Sequence, residues 1–139
     1  MAAANSLALT KRLADAYFTG SYKMLLVSSA PSESDLDTFA VRSSVANEVA
    51  NSGTYASGGS SVTCTVGAVD TANNRVPVTF GAPAAWTSAT ISAVGGWIYK
   101  VIGSAATDEL VSYVDFGGTI TSTVNSFTVS MATPLYINR

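Results

Sequence analysis

Ser61-Val62-Thr63-Cys64-Thr65-Val66 alternates hydroxyl-bearing and apolar side chains, and Val76-Pro77-Val78-Thr79-Phe80 takes up a similar rhythm after one turn. A period of two puts Val62, Cys64 and Val66 on one face of a strand, with Thr63 and Thr65 on the other. Val76, Val78 and Phe80 share a face in the same way. Between the two runs, Asp70-Thr-Ala-Asn73-Asn74 reads as a turn, because asparagine tolerates positive φ. Pro77 lacks an N–H, which predicts a strand that lies at an edge or pairs on one side there.

The same period spreads outward. Tyr22-Lys-Met-Leu-Leu-Val27 reads as a buried or half-buried strand. Ala89–Val94 and Trp97–Ile102 read as two more, with Gly95-Gly96 between them as a bend or bulge. Leu110–Phe116 follows, then a turn at Gly117-Gly118. Phe127, Val129 and Met131 share a face, and Pro134-Leu135-Tyr136-Ile137 makes a terminal strand. Ser28–Asp35, with Pro31, reads as a polar loop, and Asn51–Ser60 as a glycine-rich one. Asp35 to Val49 is ambiguous: it fits a short helix over Leu36, Phe39 and Ala40, followed by a strand entering Asn47-Glu48-Val49. About eight short strands, spaced near ten residues, predict an all-β fold, a β-sandwich or open barrel.

One segment departs from that period. Residues 3–19 predict a helix, with Asn5 or Ser6 as its cap and Gly20 as its stop. Leu7, Lys11, Ala14 and Phe18 fall near one face, with Leu9, Leu13, Ala16 and Tyr17 close by. Residues 1–20 are therefore expected as a helical arm and 21–139 as a single β-sandwich domain.

The chain has 139 residues, 47 % hydrophobic and only 12 % charged, and 35 of them are serine or threonine. Charge is about half the usual share. A surface of hydroxyls and alanines has little repulsion to keep copies apart, so it suits packing in an assembly. It equally suits the solvent faces of an ordinary β domain. A net charge of −2, with basic residues scattered apart from Lys11-Arg12, argues against nucleic acid as a partner. The positive charges follow the first apolar run instead of preceding it, unlike a secretory signal, and no apolar stretch reaches membrane-spanning length. Synthesis in a cytoplasm and no membrane partner are the expectations.

Catalytic groups are sparse. With no histidine in the sequence, a Ser-His-Asp triad, a Cys-His pair and a histidine metal site are excluded. The single cysteine, Cys64, sits at an inward position and reads as a small core residue. Glu33, Asp35 and Asp37 imitate the rhythm of a calcium loop, but the glycine and glutamate that complete one are missing. Asp108-Glu109 reads as a turn before a strand. Asp115, between Val114 and Phe116, must face water or meet a cation. Trp86, Trp97, Tyr99 and Phe116 are expected as core anchors, with a sugar-binding face as the alternative. No catalytic, cofactor or metal residues are expected, and the chain reads as a non-enzyme.

Asn47-Glu-Val-Ala-Asn-Ser-Gly-Thr-Tyr-Ala-Ser-Gly-Gly59, followed by Ser61-Val-Thr63, resembles an N-E-V…G-Y-x-x-G-G segment of a widespread family of small tailed-phage structural proteins. Trp86 and Ala89-Thr-Ile-Ser-Ala-Val-Gly-Gly-Trp-Ile-Tyr99 are similar to its next segment. Asp108-Glu-Leu-Val111, Val114-Asp-Phe-Gly117, the end from Phe127 to Ile137, and Tyr22-Lys-Met-Leu-Leu-Val27 continue the resemblance in the same order. The chain departs from the pattern at Thr54, inserted before Tyr55, and at Val94, where a charge is common. The resemblance implies a β-sandwich virion protein, foremost a capsid decoration (cement) protein on the capsid surface, binding the major capsid protein and itself. A homo-oligomer, a trimer by preference, is expected. A tail, head-fibre or adaptor component and a carbohydrate-binding module on the virion are the alternatives. Leu7, Leu9, Leu13, Tyr17, Leu135, Tyr136 and Ile137, the apolar residues of the two ends, are the expected partner interface.

Overall fold

The structure is a computed structural model that describes residues 6–131 and 133–139. It is all-β, with two antiparallel sheets and an N-terminal helix. The elements are α1 (Leu7–Tyr17), β1 (Tyr22–Val27), α2 (Glu33–Thr38), a 3-10 turn (Arg42–Ser44), β2 (Ser60–Val62), β3 (Cys64–Val66), β4 (Arg75–Phe80), β5 (Trp86–Lys100), β6 (Glu109–Phe127) and β7 (Leu135–Asn138). Contacts group the chain into two units, and neither is continuous in sequence.

The larger unit, Ser21–Val62 with Pro83–Val129, holds a sheet in the order β2-β1-β5-β6. β1 runs antiparallel between β2 and β5, with Tyr22 opposite Lys100 and Val27 opposite Gly95. Met24, Leu25, Leu26 and Val27 are all fully buried. A strand buried on both faces shows a continuous apolar run, as Met-Leu-Leu-Val does. Leu25 and Val27 pack with Trp97 and Tyr99, and Phe39, Val45 and Leu110 close that cluster. Trp86 meets Tyr55 and Phe127 edge-on or tilted, at 5.4 and 6.3 Å between ring centroids.

The smaller unit, Met1–Gly20, Thr63–Ala82 and Ser130–Arg139, holds the sheet β3-β4-β7 with α1 packed on β4 and β7. Val76, Val78 and Phe80 are buried, as their alternation predicted. Asn74 takes φ +53° in the turn before them. Ser6 caps α1, its hydroxyl accepting from the Leu9 N–H. Asn5, the other candidate cap, and the expected helical residues 3–5 lie outside the described residues.

Several expectations need correction. The run from Ser61 to Val66 is two strands, not one: β2 pairs with β1, and β3 pairs with β4 in the other sheet. Side-chain alternation survives the change at Thr63, so periodicity reports faces but not partners. β4 is the middle strand of its sheet, not an edge. Pro77 is tolerated because its carbonyl accepts from Gly67, just past the end of β3, where the missing N–H interrupts little.

Among the described residues the strands are seven, and two are long. Gly95-Gly96 does not divide β5. A Cβ there would meet the Tyr113 hydroxyl at 2.2 Å or the Leu25 carbonyl at 2.7 Å, so glycine lets neighbouring strands close up. Gly117-Gly118 does not turn the chain either; it sits in a wide bulge of β6. Gly95 opposes Asp115 and Ala93 opposes Ile120, so Val94 alone faces Phe116 to Thr119. Glu33, Asp35 and Asp37, expected in a loop, belong to α2. Ser32 and Asp35 form a reciprocal capping box that nucleates this short helix. No strand forms at Asn47-Glu48-Val49; Glu48 makes only an isolated bridge to Val27.

Two glycines separate steric crowding from backbone strain. At Gly59, φ is +67° and a Cβ would lie 1.7 Å from the Met24 carbonyl oxygen, whereas Gly117 has φ +75° with open space around it. Gly117→Ala is expected to cost about 1–2 kcal/mol, the left-handed penalty alone. Gly59→Ala is expected to cost at least twice that, because β1 backbone must move. Urea denaturation of both variants checks this; equal losses would contradict the packing account.

Candidate functional site

The two ends expected to bind partners behave differently. In α1, Thr10 and Ala14 are buried, while Leu7, Leu9, Lys11 and Phe18 at the C-cap are half-buried. Phe18 meets Phe80 edge-on at 6.3 Å. This is the inward stripe predicted from Leu7, Lys11, Ala14 and Phe18. Leu13 and Tyr17, one turn apart, lie on the outer side, 57 % and 39 % exposed. An i, i+4 pair shares a face, so the helix carries a second apolar stripe that its own sheet does not cover.

The terminal segment is a strand of the sheet. Leu135, Tyr136 and Ile137 pair with Val78, Pro77 and Val76 and are half-buried. The Arg75 guanidinium lies 3.6 Å above the Tyr136 ring, and its Nε donates to Asp70 at 3.0 Å. The Asn73 amide and Arg75 beside Asp70 hold its carboxyl below the usual range. Leu135, Tyr136 and Ile137 are thus tied to β4, and Leu13 with Tyr17 forms the exposed apolar pair of the predicted set.

A second constellation was not anticipated from the sequence. Glu48 Oε1 accepts from the Tyr55 hydroxyl at 2.9 Å and from the Gly58 N–H at 2.5 Å, and its Oε2 accepts from Ser57 Oγ at 3.0 Å. The Tyr55 oxygen in turn accepts from the Leu26 N–H of β1 at 3.0 Å. Tyr99 donates to the Gly58 carbonyl at 2.6 Å, and the Arg42 guanidinium stands 5.2 Å from the Tyr99 ring centroid. Arg42 Nε donates to Asp108 at 2.9 Å. The other Asp108 oxygen accepts from the N–H groups of Ile102 and Gly103 at 2.8 and 3.0 Å. A polar chain therefore runs from β1 to the start of β6.

Three groups of this polar chain, Tyr55, Tyr99 and Asp108, are perturbed for a structural reason. Burial pushes the Tyr55 hydroxyl well up; the Leu26 amide opposes this and the Glu48 charge adds to it. Burial likewise raises Tyr99, against the nearby Arg42. Burial also pushes the Asp108 carboxyl up, but the amides of Gly103 and Ile102 and the Arg42 guanidinium together outweigh it and hold it low. What these carboxylates do is pin loops: their lone pairs are filled by the chain's own donors.

The remaining candidates fall elsewhere. Cys64 is half-buried at the start of β3, less enclosed than its alternation implied. Glu109 opposes Lys100 in the β5–β6 ladder. Asp115 is exposed, as a charge in a strand should be, and accepts from the Gly117 N–H at 2.8 Å inside the bulge. Phe116, half-buried, reaches Phe127 at 6.3 Å. Trp86, Trp97 and Tyr99 are buried, at 1 %, 5 % and 2 % exposure. Among the described residues, no three His, Cys, Asp or Glu side chains gather into a metal site. A half-open cleft of about 280 Å³ lies between Ser29-Ala30-Pro31, Asp35, Phe39, Ala46-Asn47 and Trp97. Its polar groups are already engaged: Asp35 in the capping box, and the Asn47 amide on Ser29. Among the described residues, no helix is long and apolar enough to cross a membrane.

The chain matches no protein-family model, no curated protein and no solved structure.

Two outcomes follow for the polar chain. Tyr55→Phe strands the buried Leu26 N–H and is expected to cost about 1–3 kcal/mol; a loss under about 0.5 kcal/mol in urea denaturation would show that the hydroxyl is dispensable. Asp108 has a depressed folded pKa, so its stabilisation is complete above the unfolded value of 3.8 and is lost as pH falls through the lower folded one. Between pH 5 and pH 2, Asp108→Asn should therefore lose less stability than the parent; an unchanged acid slope would contradict this.

Proposed function

We propose that this chain is a non-enzymatic structural protein of a tailed-phage virion, acting as a decoration protein that clamps major capsid protein subunits together. The observation that carries the reading is the outer stripe of α1. Leu13 and Tyr17 stay exposed on a helix whose other side packs on its own sheet, in a chain with only 12 % charged residues. Fully burying a leucine yields about 1.5–3 kcal/mol, so an exposed apolar pair is a standing driving force for association.

The site chemistry agrees with adhesion. Glu48 and Asp108, the carboxylates with the most partners, are occupied in holding loops. The ordered resemblance to phage structural proteins falls on those same segments, Asn47–Gly59 and Asp108–Val111, so the shared residues are scaffold. On a capsid, each copy needs only a modest contact, because binding to several subunits at once multiplies weak contacts into firm retention. The sugar-binding alternative draws less support: Trp86 is enclosed by Tyr55 and Phe127, and Trp97 is only 5 % exposed. A tail or head-fibre position uses the same adhesive logic and differs in copy number.

Particles produced by the genome that encodes the chain should carry it in numbers comparable to the major capsid protein, measured by quantitative mass spectrometry. Leu13→Asp with Tyr17→Asp should leave folding intact and cut retention on particles at least tenfold. A few copies per particle would place the chain in the tail or a fibre. Absence from particles, or full retention of the double variant, would overturn the clamp through α1.

A further inference from the structure

A sheet edge offers a row of backbone N–H and C=O groups that can pair with another strand, so natural edges are kept short, charged, kinked or covered. The two sheets have four edges: β2, β6, β3 and β7. Three of them are 3, 3 and 4 residues long, whereas β6 has 19. Three edges are therefore blunt by length alone, and the fourth has to be guarded in some other way.

The guard on β6 is uneven. At its start, Glu109 bridges to Val41 and the Leu110 N–H donates to the Ala40 carbonyl, which covers the first residues. Beyond them, no strand among the described residues pairs with the outer side of β6. From Phe116 to Met131 the sequence holds no Asp, Glu, Lys, Arg or Pro. Two irregularities remain. One is the bulge of Phe116 to Thr119; the other lies near Val124, which takes φ +45° where the register with β5 shifts again. Between them, Ile120, Thr121 and Ser122 keep regular register with Ala93, Ser92 and Ile91. Thr119, Ile120, Thr121 and Thr123 are all exposed.

We infer that this window, Thr119 to Thr123, pairs antiparallel with the same window of a second copy of the chain, about a two-fold axis at Thr121. The charge pattern selects that occupant. A charged partner strand would find no counter-charge along this edge, whereas a second copy brings an equally uncharged one. Antiparallel pairing sends the two Asp115 carboxylates to opposite ends of the joint; a parallel arrangement would set them side by side, which is unfavourable. The two Thr121 side chains then face each other and Thr119 of one copy faces Thr123 of the other, pairings of β-branched hydroxyl residues suited to neighbouring strands. The contact is isologous, so it closes on itself as a dimer and does not propagate into a fibre. The bulges on either side limit it to about five residues, roughly 17 Å at about 3.4 Å per residue. A joint this small is well below the area of a stable interface, so association is weak and rises with concentration. This contact differs from the trimer expected from the sequence, and it stands whether or not the virion reading holds.

Analytical ultracentrifugation of the full chain, up to about 1 mM, the weak end of specific association, tests it. The parent should approach a dimer mass as concentration rises. Thr121→Lys with Thr123→Lys, and separately Thr121→Glu with Thr123→Glu, should each remain monomeric, with circular dichroism unchanged. An equimolar mixture of the two should associate at least tenfold more tightly than either alone. If either variant fails to fold, hydrogen exchange on the parent decides: amides in Thr119–Thr123 should gain protection with concentration, and those of α1 should not. A parent that stays monomeric or forms a trimer, charged variants that associate like the parent, or exchange that is insensitive to concentration would each overturn the inference.

Discussion

The Glu48 carboxylate is the interaction on which the larger unit depends. One side chain gathers the Tyr55 hydroxyl, the Ser57 hydroxyl and the Gly58 amide. That grip does two jobs. It folds the loop between the 3-10 turn and β2, a stretch with no regular strand of its own. It also aims the Tyr55 oxygen at the Leu26 amide, so the loop is stitched to the most deeply buried strand. Backbone groups of a loop have no ladder to satisfy them, and charge-assisted bonds from one carboxylate are a compact substitute. The glycines of the loop follow from the closeness this demands. Gly59 touches the Met24 carbonyl and Gly53 the Thr87 and Ser88 carbonyls, where any Cβ would collide.

How much of this was legible in the sequence differs by element. The all-β class and the helix were legible, because period two and period 3.6 are local signals; Val76, Val78 and Phe80 are buried where alternation put them, and Met24–Val27 where an unbroken apolar run did. Partner choice was not legible. Thr63 marks a change of sheet without breaking alternation, and Gly95-Gly96 and Gly117-Gly118 look like turns although they lie within long strands. Glycine marks a backbone need, either a turn or a close approach, and only the neighbouring strand tells which. The polar chain was invisible for the same reason: Arg42 meets Asp108 across 66 positions, and Tyr99 meets Gly58 across 41. A signal for Asp108 did exist. A carboxylate a few residues after the end of an apolar strand, beside a glycine-serine loop, is a candidate to accept loop amides, as it does from Ile102 and Gly103.

For the interface residues, composition separated apolar from polar but not covered from open. Leu135, Tyr136 and Ile137 look as available as Leu13 and Tyr17 in sequence, yet β4 and Arg75 engage the first three. Among the outward features are a helix stripe and, from Phe116 onward, an uncharged sheet edge. Both are adhesive features, one by apolar area and the other by backbone pairing. Under the proposed function, these are the surfaces by which neighbours would hold the chain in place.

The most direct measurement is a cryo-electron microscopy map of particles that contain the chain. The account predicts ordered density for the two sheets on the outer surface of the shell, repeated with the lattice, with Leu13 and Tyr17 of α1 against the capsid subunits. Density confined to the tail, or lattice density with α1 turned to solvent, would contradict it.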